Sequence, residues 1–197
     1  MSKGEETKSK ILEQAAALFN QQGYFGSSMS DIMRVTGLQK GGIYNHFKSK
    51  DELALLSFEY AVSRVAEYYS AALRSKRHAV DRLEAILDLF LQYIDNPPIA
   101  GGCPLMNTAI ESDDAYPLLR DRCQKAMDSW RDMLCRIMHY GIKHGELKSG
   151  IDTDEVATII ISTLEGGVMM SKLYGDSIHI HRSVKHLKCY IARELKI

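Results

Sequence analysis

The sequence predicts an all-α protein, with three short helices at its N-terminal end and a larger helical part behind them. Three observations carry this. Apolar residues recur at spacings of three and four along nearly the whole chain. Capping residues and glycine stops divide the first part into short helices. No segment alternates as a half-buried strand does, and there is neither an internal repeat nor a low-complexity tract.

The elements follow in order. Ile11, Ala15 and Leu18, with Leu12 and Phe19 beside them, form one apolar stripe, and Gly23 ends that helix. Ser28 and Asp31 make a capping box ahead of a short helix carrying Ile32, Met33 and Val35, which Gly37 closes in a left-handed conformation. A third helix begins near Gln39 and stops near Phe47. Ser49 and Glu52 form a second capping box, which opens a long helix to about Leu73. An amphipathic helix from about Val80 to Ile94 ends at Asn96-Pro97-Pro98. Gly101-Gly102 is a hinge-like loop, and Pro104 takes the first position of the next helix. From about Tyr116 to Lys143, the residues Leu119, Cys123, Ala126, Trp130, Met133 and Ile137 form one core-facing stripe. The next helix, with Val156, Ile159, Ile160, Thr163 and Leu164 leading into Gly166-Gly167-Val168-Met169-Met170, is apolar on more than one face, as a helix covered on two sides must be. The last carries Ile180, Val184, Leu187, Ile191 and Leu195 as a single stripe.

The chain has 197 residues, 45% of them hydrophobic, which supplies a core and excludes wholesale disorder. A net charge of +0 gives no global attraction to nucleic acid, but the charges are unevenly placed. Up to Lys50 the basic residues are Lys3, Lys8, Lys10, Arg34, Lys40, Lys48 and Lys50, against Glu5, Glu6, Glu13 and Asp31. Phosphate contact confined to one end produces this pattern. Cys103, Cys123, Cys135 and Cys189 form no CxxC pair and are expected to be reduced thiols. With no secretory h-region and no run near the ~18 apolar residues of a membrane span, a cytoplasmic location without membrane contact is expected. His179, His181 and His186, and the pair His139 and His144, lack helical ligand spacing, so no metal and no cofactor are expected.

The segment Gln39-Lys40-Gly41-Gly42-Ile43-Tyr44-Asn45-His46-Phe47 puts many polar tips on a very short helix. A core helix has no use for them; a helix lying in the major groove of DNA does. Gln39 and Lys40 stand where side chains reach bases or phosphates, and Asn45 offers the amide suited to adenine. Gly41 and Gly42 lack bulk, which lets the helix start approach DNA closely. Helix-interior glycine costs about 1 kcal/mol relative to alanine, so two in succession ask for a reason. Lys50, at the next helix's N-terminus, combines backbone amides and an ammonium against a phosphate. Ser27, Ser28 and Ser30 offer hydroxyls at the other groove edge.

The run Gly23-Tyr24-Phe25-Gly26-Ser27-Ser28-Met29-Ser30-Asp31-Ile32, followed by Val35-Thr36-Gly37-Leu38 through Tyr44 and Lys48-Ser49-Lys50-Asp51-Glu52-Leu53, resembles the TetR family of bacterial transcription regulators. The resemblance implies a helix-turn-helix DNA-binding domain over 1–53 and a ligand-binding and dimerisation domain over 54–197. By the same resemblance, Tyr44 and His46 touch phosphates and nearby bases, and the last two helices pair with their copies in a homodimer. A serine is usual at Gln39, threonine or alanine at Gly42, and a basic or other polar residue at Ser30, so the helix start is less well capped and two contacts differ. The broad apolar faces of the terminal helices independently ask for a twofold partner. Such a dimer spaces two reading helices by about one DNA turn, ~34–36 Å, on a palindromic operator.

In the larger part, Phe90, Tyr93, Met106, Trp130, Met133 and Met169 either wall an apolar effector site or form plain core. Asn107 and Glu165 are polar groups able to orient a small-molecule effector there. Cys103, ahead of Pro104, is a candidate N-cap whose thiol either lines a pocket or senses an electrophile. The expected function is a transcriptional repressor released from its operator by a small hydrophobic or electrophilic molecule. The alternatives are a sensor acting through Cys103 and a DNA-binding protein without effector. No enzyme is expected, since no histidine lies near Cys103 in sequence to serve as its base.

Overall fold

The computed structural model describes residues 2–92 and 94–197. Its α-helices are α1 (Lys3–Gln22), α2 (Met29–Thr36), α3 (Lys40–Tyr44), α4 (Lys50–Leu73), α5 (Ala79–Phe90), α6 (Pro104–Ser112), α7 (Pro117–Lys143), α8 (Thr153–Tyr174) and α9 (Ile178–Tyr190), closed by a π-helical turn over Ile191–Leu195. No strand occurs among the described residues; Leu147 and Lys196 form an isolated bridge.

Most expected boundaries stand, and three differ. The helix α3 ends at Tyr44 rather than Phe47, because the His46 N–H turns back to the Ile43 carbonyl and Phe47 drops into the core at 2% exposure. The helix α5 stops at Phe90, short of Ile94, as Leu91 and Gln92 donate to Asp88 and Leu89 in tightened i to i+3 bonds. The π turn after α9 has no sequence signal, since the stripe continues at ordinary spacing through Ile191 and Leu195, both buried.

The chain divides into two compact units, Met1–Ala66 with Pro98–Lys125, and Glu67–Pro97 with Ala126–Ile197. In the first, Ile11, Ala15 and Leu18 of α1 meet Ile32, Ile43, Phe47 and Leu53 in one cluster. A helix as short as α3 does not persist alone. Burial of Ile43 and Phe47, each worth about 2–3 kcal/mol, holds it in place and leaves its other side chains outside. In the second unit, Leu83, Ile86 and Leu87 of α5, Leu134 and Ile137 of α7, Ile160 and Leu164 of α8, and Ile180, Val184 and Leu187 of α9 are buried. The helices α8 and α9 approach closely at Gly167, where a Cβ would lie 2.7 Å from Ser183 Oγ. By length and apolarity α8 is sufficient to cross a membrane, which corrects the expectation that no run comes near that length; its buried residues, from Thr153 to Ser171, belong to this unit's core.

Candidate nucleic-acid interface

Ser28 is the N-cap of α2, and its capping box with Asp31 is complete. The Asp31 N–H donates to Ser28 Oγ at 3.1 Å, while Ser28 N–H and Oγ–H donate to Asp31 Oδ2 at 3.0 and 2.6 Å. Those bonds, with Arg34 adding a third group, hold the Asp31 carboxyl down at about 2. A carboxyl titrating lower in the folded state contributes stability above its unfolded pKa, about 4, and loses it as pH falls towards 2. The Asp31→Asn variant is therefore expected to show a shallower loss of thermal stability across that window than the parent, measured by circular dichroism. Gly37 then closes α2 at φ 67°, and the chain turns directly into α3.

At the start of α3, Gln39 is the N-cap with an extended backbone and no side-chain cap bond, as its lack of a short hydroxyl predicts. Lys40, Gly41, Tyr44 and Asn45 are exposed, while Gly42 and His46 are half-buried. Lys40 Nζ lies 5.8 Å from the centre of the Tyr44 ring, so ammonium and phenol share one side of the helix. A Cβ at Gly41 would meet no atom within 4 Å, and one at Gly42 only Leu38 at 3.7 Å. Nothing inside the protein asks for these glycines.

Three residues expected to reach DNA are placed differently from one another. Ser30 is exposed on α2. Ser27 is 1% exposed and its hydroxyl donates to the Gly23 carbonyl at 2.6 Å, so it shapes the turn rather than presenting a hydroxyl outwards. The Lys50 ammonium donates to the Tyr24 carbonyl at 2.7 Å and sits 4.2 Å from that ring's centre. Burial lowers its pKa, against the opposing pull of Asp51 and Glu111. In this arrangement Lys50 also pins the turn before α2, with one of its three N–H donors given to the Tyr24 carbonyl. The Tyr24 hydroxyl donates to Asp51, and burial with that carboxylate pushes the phenol well above its ordinary range.

From α6, Glu111 holds this turn and Asn107 holds the end of α1, contacts that no local sequence pattern discloses. Glu111 accepts the N–H groups of Tyr24 and Phe25 at 2.8 and 2.9 Å. Gly23, at φ 77°, makes room for it, since a Cβ there would lie 2.5 Å from Glu111 Oε1. Asn107 Nδ2 donates among the Asn20 carbonyl, Asn20 Oδ1 and the Gly101 carbonyl at 2.9–3.0 Å. Asn20 Nδ2 in turn donates to the carbonyls of Ala100 and Gly102. Gly101, at φ 106°, passes so close that a Cβ would lie 2.6 Å from the Asn20 carbonyl oxygen. Asn107, expected to orient an effector, is thus bound inside a polar latch.

The remaining candidate effector residues fall in both units. Cys103 and Met106 are in the first, with Phe90, Trp130, Met133, Glu165 and Met169 in the second; Tyr93 lies outside the described residues. Cys103 is the N-cap of α6 without a side-chain cap bond and is 4% exposed. Reactive thiols are partly exposed, so this geometry gives the electrophile-sensing alternative no support. Trp130 stacks on Phe90 at 5.8 Å and on Tyr69 at 6.2 Å, all three buried as core. Met133 and Glu165 are half-buried, and Met169 is exposed. No group of three or more possible metal ligands gathers among the described residues.

A capped helix, a left-handed glycine turn and a short second helix rooted by two apolar residues, with polar tips outside, define a helix-turn-helix protein that binds DNA. Comparison with known proteins gives the family. Residues 11–56 match the model for bacterial regulatory proteins of the tetR family, and residues 79–187 the tetracyclin repressor-like C-terminal domain. A TetR transcriptional regulator from Chloroflexus aurantiacus J-10-FL is 44% identical, with both chains covered in full and a TM-score of 0.97. One from Cytophaga hutchinsonii is 30% identical over 98% of this chain and 96% of its own, with a TM-score of 0.90. The HTH-type transcriptional regulator LmrA of Bacillus subtilis is 26% identical over 92% of this chain and 96% of its own. The chain belongs to the TetR family: it is a DNA-binding transcriptional regulator, of a family whose members are not enzymes.

Proposed function

We propose that the protein is a cytoplasmic homodimeric repressor that sits on a palindromic operator and leaves it when a small hydrophobic molecule binds. Residues 1–53 read DNA; residues 54–197 bind the effector and the second copy. The observation that carries DNA reading is Gly41: an exposed helical glycine with no internal neighbour is explained by an outside surface coming close. Ser28, Ser30, Gln39, Lys40, Gly41, Gly42, Tyr44, Asn45 and His46 are the proposed contacts, with Lys50 and Ser27 supporting them from the turn.

The dimer reading is supported by α8 and α9. Met169, Met170, Leu173, Tyr174 and Ile178 are large apolar side chains left 39–75% exposed, and Gly166 opens onto free space. A twofold partner covers such a face. The effector releases DNA only by binding better to a dimer whose heads no longer fit adjacent grooves.

The test is a band-shift titration on the DNA upstream of the protein's own coding region. The parent is expected to bind with salt dependence and sequence preference. Tyr44→Ala is expected to weaken binding by about tenfold or more with the melting temperature unchanged. Equal affinity of parent and variant, or indifference of the parent to salt and sequence, overturns the reading.

A further inference from the structure

Resting on the DNA-binding reading above, we propose that α1 is a second grip on the duplex, in which Lys3 and Lys10 hold backbone phosphates beside the start of α3. The buried stripe of α1 is Ile11, Ala15 and Leu18. Lys3, Thr7, Lys10 and Gln14, spaced four, three and four, form the stripe next to it. That stripe borders a cleft of about 320 Å³ whose opposite side is Thr36 and Leu38, the residues leading directly into Gln39 and Lys40. Lys3 and Lys10 are exposed, and no carboxylate pairs with either among the described residues. Glu6 also faces the cleft, leaving two positive charges against one negative.

On the other flank of the buried stripe, Lys8 places its ammonium 5.6 Å from the centre of the Phe47 ring, just past the end of α3. The lysines of α1 therefore bracket the reading helix. A helix seated in the major groove has phosphates of the two strands along both its sides. Backbone phosphate is the ligand this arrangement fits. It carries charge but no sequence information, which suits lysines on long stems better than groups fixed for base reading.

The test compares the full-length parent with Lys3→Ala/Lys10→Ala, with Lys3→Arg/Lys10→Arg, and with Lys76→Ala/Arg77→Ala as a control of equal charge loss in the second unit. Each is titrated against a random-sequence duplex and an upstream fragment over a range of NaCl. The alanine pair is expected to bind both DNAs about tenfold more weakly, with a salt slope shallower by about two per reading head and an unchanged melting temperature. The arginine pair retains the parent's affinity and slope. If the alanine pair matches the parent, or the control loses as much, the grip is wrong while the DNA-binding reading stands. If the parent itself binds neither duplex, both fall together.

Discussion

Replacing Gly41 with alanine is expected to stabilise the protein and to weaken its hold on DNA, two effects of opposite sign from one methyl group. The backbone at Gly41 is an ordinary right-handed helix, and the added Cβ meets no protein atom. Alanine there removes the entropic penalty of glycine, worth up to about 1 kcal/mol, and raises the melting temperature. The same methyl projects from the first turn of α3 into the space that the groove wall is proposed to fill. A misfit at one base position costs about 1–3 kcal/mol of binding, or roughly tenfold and more. Calorimetric melting and a fluorescence-polarisation titration read the two effects separately. A variant that is both more stable and fully competent on DNA would mean that Gly41 has no external neighbour.

The second large effect concerns Asn107. Its side-chain amide serves three acceptors on Asn20 and Gly101, in the α6 face against the end of α1. In Asn107→Ala those oxygens lose their donor in a part-buried setting, at about 1–3 kcal/mol for the group. The expected outcome is a lower unfolding midpoint in urea, with the slope of the transition unchanged. An unaltered midpoint would return Asn107 to the candidate effector contacts, because a side chain that only awaits a ligand contributes nothing to the unliganded fold.

These two residues also mark what local sequence can and cannot convey. The stripe Ile11, Ala15, Leu18, the cap at Ser28, the stop at Gly37 and the terminal stripe from Ile180 to Leu195 were legible because each is fixed by neighbours within a few turns. The exposed tips of α3 were legible for the same reason: Ile43 and Phe47 take the inward positions and leave the others no choice. Asn107 was not, since its partner Asn20 lies 87 residues away in the chain. Lys50 was half legible; its place at the start of α4 is local, but the Tyr24 carbonyl that holds it is 26 residues earlier. Ser27 was misplaced because a hydroxyl followed by a second serine at the N-cap gives no hint which one bonds the preceding turn. The effector residues were the least legible, since aromatic side chains at helical spacing serve core and pocket alike.

The stacked indole of Trp130 has a practical consequence. It is the chain's single tryptophan and clusters with the rings of Phe90 and Tyr69, each of the three 5.8–6.4 Å from the other two. Emission excited at the red edge therefore comes from one fluorophore, enclosed in the unit that does not carry the glycine-bearing reader. Red shift or quenching follows that portion alone, so a spectrometer can watch it loosen or fill with no label attached.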